Sequence, residues 1–233
     1  MAVRQIVDIF EAIVERLDYT LLIESVIDNG GSYTLATSNT YYCTKLNTVS
    51  IDGSDYRITD FIFNESITVE PISHTNNPLL STEIYLPAPT FFFGTVNSTD
   101  REITRAISLG QNDYPIVYFN EILREKFISD PLSSIERTAP IRIFFLDIAN
   151  YSDNLNKDFM DDVLKPLSNI EEKFYSEMGK DKNIGRISTD WDRVNIPRFA
   201  RTGENGELEL IFSKELSGLE LAIQIPIKKD CQC

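Results

Sequence analysis

Residues 49–70 read VSIDGSDYRITDFIFNESITVE, three short runs of β-favouring residues separated by Asp52-Gly53 and Asn64-Glu65. Connections this short force the chain to return antiparallel beside itself, because Asp, Asn and Gly tolerate the positive φ that tight hairpins require. The middle run, Asp55 to Phe63, is apolar on both faces of a strand. Tyr56, Ile58 and Ile62 share one face with Asp60, while Phe61 and Phe63 share the other with Arg57 and Thr59. Two apolar faces predict a strand that is central in a sandwich or barrel, or one whose outer face is covered by another segment or subunit. Phe61 and Phe63 are therefore candidate interface residues.

Upstream, apolar residues recur at steps of three and four through Val3, Ile6, Phe10, Ile13, Val14 and Leu17, with Arg4, Asp8, Glu11, Glu15 and Arg16 mostly off that stripe. The spacing predicts an amphipathic helix over Val3 to Leu17 whose sticky face needs the chain's own sheet or a neighbouring subunit. Ile6, Phe10, Ile13 and Leu17 are interface candidates on that ground. Thr20 to Ile27 reads as one strand, Asp28-Asn29-Gly30-Gly31 as a hairpin turn, and Ser32 to Thr37, Leu46 to Ile51 and Ser66 to Ile72 as further strands. Residues 1–72 are expected to form the helix plus an antiparallel β-meander, a sandwich or small barrel.

Residues 73–98 follow no period and hold Pro78, Pro87 and Pro89. Within them, Phe91, Phe92 and Phe93 sit beside Gly94, and leaving three such rings in water is costly at roughly 25 cal/mol per Å². The expectation is an extended apolar loop that folds over its own core or docks on another subunit, with the three phenylalanines as contact residues.

Residues 99–233 read as an α+β region, either separate from residues 1–72 or one continuous domain with them. Thr99 and Glu102 have capping-box spacing for a helix that Gly110 would close. Tyr114 to Phe119 reads as a strand, Glu121 to Ile128 as a short helix, and Ile141 to Ile148, after Pro140, as a central buried strand. A long helix is expected from Lys157 to Met178, with Asn156 as its cap, Gly179 at its end, a bend at Pro166, and a stripe through Phe159, Val163, Leu167, Ile170, Phe174 and Met178. Leu208 to Phe212 and Leu219 to Ile227 return to strand, with a turn at Gly203 to Gly206. The fold class is thus α+β: helix and meander first, then a mixed region with one long kinked helix.

A chain of 233 residues, 42% of them hydrophobic, has the material for a sizeable core. Its 22 Lys and Arg against 36 Asp and Glu leave a net charge of −14, which argues against gripping a phosphate backbone. No secretory leader pattern and no membrane-length apolar run is read, and the odd cysteines Cys43, Cys231 and Cys233 suggest no disulfide framework, so assembly in a cytoplasm is expected. The single histidine, His74, offers no imidazole pair for a triad or metal site, and Cys231-Gln232-Cys233 is at best half of a zinc site. Carboxylates at Asp147, Asp153, Asp158, Asp161 and Asp162 admit a divalent-metal hydrolase reading, though acidic residues in a first helical turn also suit the helix dipole. Asn195 to Arg201 reads as an irregular connection. No phosphate-binding glycine motif occurs, and no catalytic, metal or cofactor residue is assigned.

The segments YLPAPTFFFGT (85–95), YPIVYFNEILREKF (114–127), IERTAPIRIFFLDIANYSDNLNKDFMDDVLKPL (135–167), NIPRF (195–199) and ELSGLELAIQIPI resemble virion proteins of Bacteroidetes-infecting tailed phages, the crAss-like group among them. The resemblance implies a non-enzymatic neck or upper-tail component. Its partners would be portal, neck or tail proteins and copies of itself in a closed ring of about twelve-fold symmetry. DNA would pass through an acidic lumen without being held, with no membrane involved. An adsorption module that binds a host glycan through Tyr41 and Tyr42 is the alternative.

Overall fold

The computed structural model describes residues 5–40, 43–73, 77–78, 82–108, 115–120, 125–130, 132–148, 159–187, 191–202 and 208–228. The chain is an α+β protein. Helix α1, Ile6–Val14, continues through a 3-10 turn at Glu15–Leu17. The three-and-four stripe is buried as spaced: Ile6, Phe10, Ile13 and Leu17 are at most 1% exposed.

Seven strands follow: β1 (Tyr19–Leu22), β2 (Ser25–Asp28), β3 (Tyr33–Ala36), β4 (Thr48–Ile51), β5 (Ser54–Ile62), β6 (Ser66–Pro71) and β7 (Glu83–Leu86). They form an antiparallel sheet in the order β1-β7-β4-β5-β6-β3-β2, so that β1 and β2, neighbours in sequence, lie at opposite edges. The single strand expected over Thr20 to Ile27 is thereby corrected. Ile23 N–H donates to the Thr82 carbonyl at 2.8 Å, and the next amide, Glu24 N–H, donates to Ala36 at 2.9 Å. One extended segment serves both edges, and the sheet rolls up around Leu35, Val49, Tyr56, Ile58, Ile67, Val69 and Ile84.

The hairpin chemistry is as read. Gly30, Asp52, Gly53 and Asn64 all have positive φ, and the Asp28 carboxylate accepts from Gly30 N–H at 2.8 Å. The two-faced pattern of β5 has a different cause from the expected double cover. Ile58 pairs with Val69 but Asp60 pairs with Thr68, so Thr59 is an extra residue, a β-bulge. The bulge reverses the alternation: Tyr56, Ile58 and Phe61 all face the barrel interior, and Ile62 is 56% exposed.

The prolines Pro87 and Pro89 mark the crossing into a second sheet, and the expected docking loop proves to contain β7 and strand β8 (Thr90–Gly94). Helix α2 (Val96–Ser108) starts a turn earlier than expected. Thr95 caps it, its hydroxyl accepting from Ser98 N–H at 3.3 Å, and Thr99 lies inside. Next come β9 (Ile116–Asn120), β10 (Lys126–Phe127), which is strand where helix was expected, and β11 (Ile135–Ile148).

Strand β11 runs through Pro140, at a point where it has a partner on one side only among the described residues; β10 reaches Thr138 and β9 begins at Ile143. A π-helical turn at Phe159–Leu164 runs directly into α3 (Lys165–Lys180), so the helical hydrogen-bond pattern changes from π to α just before Pro166, which stands in the first α-helical turn where its missing N–H is tolerated. Strands β12 (Asp192–Ile196), β13 (Ala200–Thr202), β14 (Leu208–Leu210) and β15 (Leu216–Lys228) finish the chain, with β12 and β13 replacing the irregular connection expected there. Gly110, Asn156 and Lys157 and the turn from Gly203 to Gly206 lie outside the described residues. Among those described, no helix is long and apolar enough to cross a membrane.

The second sheet has the order β12-β15-β11-β9-β8, with β10 on the end of β11 and only β8 and β9 parallel. Helices α1 and α3 cover one face. The Phe10 ring lies 5.0 Å from Phe119 and 5.7 Å from Phe174, and Phe174 lies 5.5 Å from Phe145. Helix α1 therefore belongs to this unit and not to the meander, and the barrel is an excursion between α1 and β8.

Candidate functional site

In β9, β11 and β15, side chains alternate between two faces of the second sheet. One set, including Phe119, Ile143, Phe145, Leu221 and Ile225, is closed under the helices. On the other face α2 and the β13–β14 hairpin bring down Ile103, Phe199 and Phe212 over Tyr118, Phe144, Leu146 and Leu216. This cover stops at Phe144 and Glu220. Beyond it the register lays Asp192, Ala222 and Arg142 in one row, Gln224 and Pro140 in the next, and Pro226 and Thr138 in a third. Arg142, Pro140, Gln224 and Asp192 are exposed and Val194 is 49% exposed, so half of this face is bare.

A cavity of about 290 Å³ opens at the step between covered and bare sheet. Tyr118, Asn120, Arg142, Phe144, Ile196 and Glu220 come from the sheet; Val96, Arg198, Phe199 and Ile211 come from the covering layer. Arg142 is held as a rigid plate: its Nε and Nη2 donate to the two oxygens of Glu220 at 2.5 and 2.9 Å, and its guanidinium stands 5.5 Å from the Phe144 ring centre. The hydrogen bond to Glu220 pushes the Arg142 pKa up, so its charge is permanent. Bonding through Nε and Nη2 leaves the Nη1 donors unengaged among the described residues. Tyr118 O–H lies 2.9 Å from the Gly94 carbonyl and 3.1 Å from Asn120 Oδ1, which turns the Asn120 oxygen inward to the tyrosine. The cavity is lined by apolar side chains and fringed mainly by donors, a combination suited to an acceptor such as a carboxylate.

A second polar cluster sits at the seam between barrel and sheet unit. Lys45 bridges Asp60 of the barrel at 3.2 Å and Asp162 of the π turn at 3.0 Å; Lys165 pairs with Asp161 at 2.5 Å and stands 4.7 Å from the Phe63 ring centre. Asp147, 3% exposed, accepts from Ile148 N–H at 2.7 Å and faces Thr44; burial pushes its pKa up to about 7 against the pull of those two donors. Asp147, Asp161 and Asp162 thus lie near one seam, but among the described residues no three acidic, His or Cys side chains are grouped to hold a metal. Asp153, Asp158, His74, Tyr41, Tyr42, Cys231 and Cys233 lie outside the described residues. Cys43 is buried in the barrel core, where burial pushes its thiol pKa far up and leaves it unreactive.

The interface candidates divide by position. Ile6, Phe10, Ile13 and Leu17 lie in the chain's own core, so this fold presents none of them to a neighbour. Phe61 is inside the barrel and Phe92 beneath Phe212 and Phe199, each 7% exposed. Phe91 packs 6.4 Å from Phe119 on the helix side, as does Phe93 at 5.6 Å, but Phe93 keeps 37% exposure. Phe63, Phe91 and Phe93 are the three with surface remaining, Phe93 the most. Sequence reading missed Arg142, Asn120 and Glu220; the signal available for the charged pair was Arg142 in the apolar run IRIFFLDI, which also holds Asp147, and Glu220 in LSGLELAI.

No protein-family model matches the chain, and no curated protein matches it in sequence.

Proposed function

We propose that the chain is a non-enzymatic structural subunit of a tailed-phage virion, which closes with copies of itself into a ring in the neck or upper tail, between portal and tail, around the DNA passage. The observation that carries this reading is the bare half of the second sheet. The three hydrophobic clusters are closed without it, yet Pro140, Gln224 and Val194 remain exposed beside a preorganised Arg142–Glu220 pair. Such a plane is suited to closure by another chain. A ring also needs two different surfaces on each subunit, and a chain divided into a barrel and a layered sheet supplies two unlike bodies. A net charge of −14 per copy, repeated around a channel, repels phosphate and lets DNA slide.

Native mass spectrometry and negative-stain micrographs of the purified protein, alone and with the portal and adjoining neck proteins, test the proposal. Closed rings are expected. A protein that stays monomeric in every mixture overturns it.

A further inference from the structure

We infer that the step cavity binds an apolar monocarboxylate, with the carboxylate on the free fork of Arg142 and the apolar body against Phe144, Phe199, Val96 and Ile211. Binding needs a single copy of the chain, so the inference stands or falls apart from the ring reading. A guanidinium carries five N–H donors in a planar fork. Glu220 takes the edge formed by Nε and Nη2, at 2.5 and 2.9 Å, and these are the only hydrogen bonds of Arg142 among the described residues. The end-on edge remains, formed by Nη1 and the second hydrogen of Nη2. Two parallel donors on one edge match the two oxygens of a carboxylate.

The guanidinium is in place before a ligand arrives. Glu220, itself 8% exposed, fixes two of its nitrogens, and the Phe144 ring centre lies 5.5 Å from its carbon. Little side-chain freedom is then left to lose on binding. The clamp does not close the site, because the Arg142 side chain keeps 59% of its surface. It also selects the charge of the ligand. Arg142 and Glu220 offset each other, so one carboxylate gains a bidentate contact at small Coulomb cost, whereas a phosphate dianion meets Glu220 with twice the charge. The place in the fold agrees. Strands β8 and β9 run parallel, joined through α2, and end at Gly94 and Asn120. Val96, the first residue of α2, and Asn120 both line the cavity, which thus lies at the carboxyl ends of a parallel pair, where open sheets leave a crevice for ligands. Its volume of about 290 Å³ is at the small end for ligand pockets and suits a ring-sized body.

Titration of the whole chain with phenylpropionate, followed by calorimetry and by proton–nitrogen correlation spectra of the arginine side chains, tests the site. One site with a Kd of about 1 mM or tighter is expected, with the Arg142 Nε–H signal shifting. Phenylpropionamide has the same shape without the charge and should bind about tenfold more weakly or worse, and inorganic phosphate should not compete. Arg142→Lys keeps the charge and loses the fork; it should weaken the acid about tenfold and leave the amide unchanged. The acid–amide comparison uses the unaltered chain and holds even if that variant does not fold. Acetyl-glycyl-phenylalanine, run beside phenylpropionate, separates the two sources of such a carboxylate: tighter binding of the dipeptide assigns the cavity to a chain terminus, weaker binding to a free small molecule. Equal affinity for acid and amide, competition by phosphate, or no binding of either acid at about 10 mM overturns the inference.

Discussion

The barrel and the layered unit bury their apolar surface by opposite means. The barrel is one sheet with one inward face; the chain passes from one edge to the other between Ile23 and Glu24, and only the four-residue strands β1 and β2 form its edges. The second sheet has two apolar faces and must be roofed twice. Two helices close one face, but α2 and a short hairpin close only half of the other, and β12 and β8 remain as edges. A rolled sheet is self-sufficient, whereas a layered one records where cover is missing. Uncovered sheet face is thus found on the layered unit, at Arg142, Pro140, Gln224 and Val194.

The sharpest way to break this contrast is at Gly218, in the central ladder of the layered unit. A Cβ there would stand 1.9 Å from the Phe145 carbonyl oxygen, which is backbone and cannot swing aside. Gly218→Ala is expected to cost more than about 5 kcal/mol, in the range reserved for broken core geometry. The barrel's Gly53, at φ +74 with open space around it, should accept Asn for about 1 kcal/mol or less. Urea unfolding of both variants checks the pair; equal costs would show that β11 and β15 are not in this register.

Next in size is Phe174→Ala, expected to cost about 3–5 kcal/mol because it empties the point where α1, α3 and the sheet meet. The single tryptophan, Trp191, packs with its ring tilted 4.5 Å from that of Tyr175 of α3, so its fluorescence reports the layered unit. The Trp191 transition should move by the full amount. A transition that stays in place would mean that α3 is not a wall of that core.

Turn chemistry and helix stripes were legible because both are local. Gly30, Gly53 and Asn64 sit at positive φ, and the Val163 to Met178 stripe is buried as spaced. What escaped was the choice of partner beyond the hairpins and the register within them. A strict two-residue period cannot reveal that Thr59 is supernumerary, so Phe61 and Ile62 were given each other's faces. An unbroken β run cannot show that its ladder changes sides between Ile23 and Glu24. The stripe of α1 is the same whether it meets the nearby meander or Phe119 and Phe174 far along the chain. The step cavity was hidden for that reason too, since Arg142 and Glu220 are 78 residues apart and each reads as an isolated charge.

The seam between the two bodies supplies a smaller, pH-dependent effect. The folded-state pKa of Asp147 is raised to about 7, so between pH about 4 and 7 the folded chain holds a proton that the unfolded chain has released, and stability falls as pH rises. Three pKa units amount to at most about 4 kcal/mol. Asp147→Asn should match the wild type near pH 4 and exceed its stability at pH 8. Parallel urea midpoints for both proteins would contradict the burial assigned to this carboxylate.

Smallest is the tie that holds the chain where it leaves α1 for the barrel. Arg16 reaches Asp181 at 3.1 Å and Glu177 at 3.6 Å, at the end of α3. Burial alone would raise the Asp181 pKa, but hydrogen bonds from Asn183 and Arg16 outweigh it and hold the carboxyl below its usual range. Its contribution is therefore present at neutral pH and lost as pH falls through the folded-state value. Arg16 is 42% exposed, so screening limits Arg16→Ala to about 1 kcal/mol at pH 7, shrinking toward pH 3. Lys45, at the other seam, pairs with an Asp60 side chain that is 63% exposed, and Lys45→Ala should cost only a few tenths of that, about 0.3 kcal/mol. A double-mutant cycle with Asp181→Asn isolates the first pair. If Lys45→Ala proves the costlier change, the barrel is held to the layered unit at the Asp60–Asp162 seam and not where its chain enters beside α1.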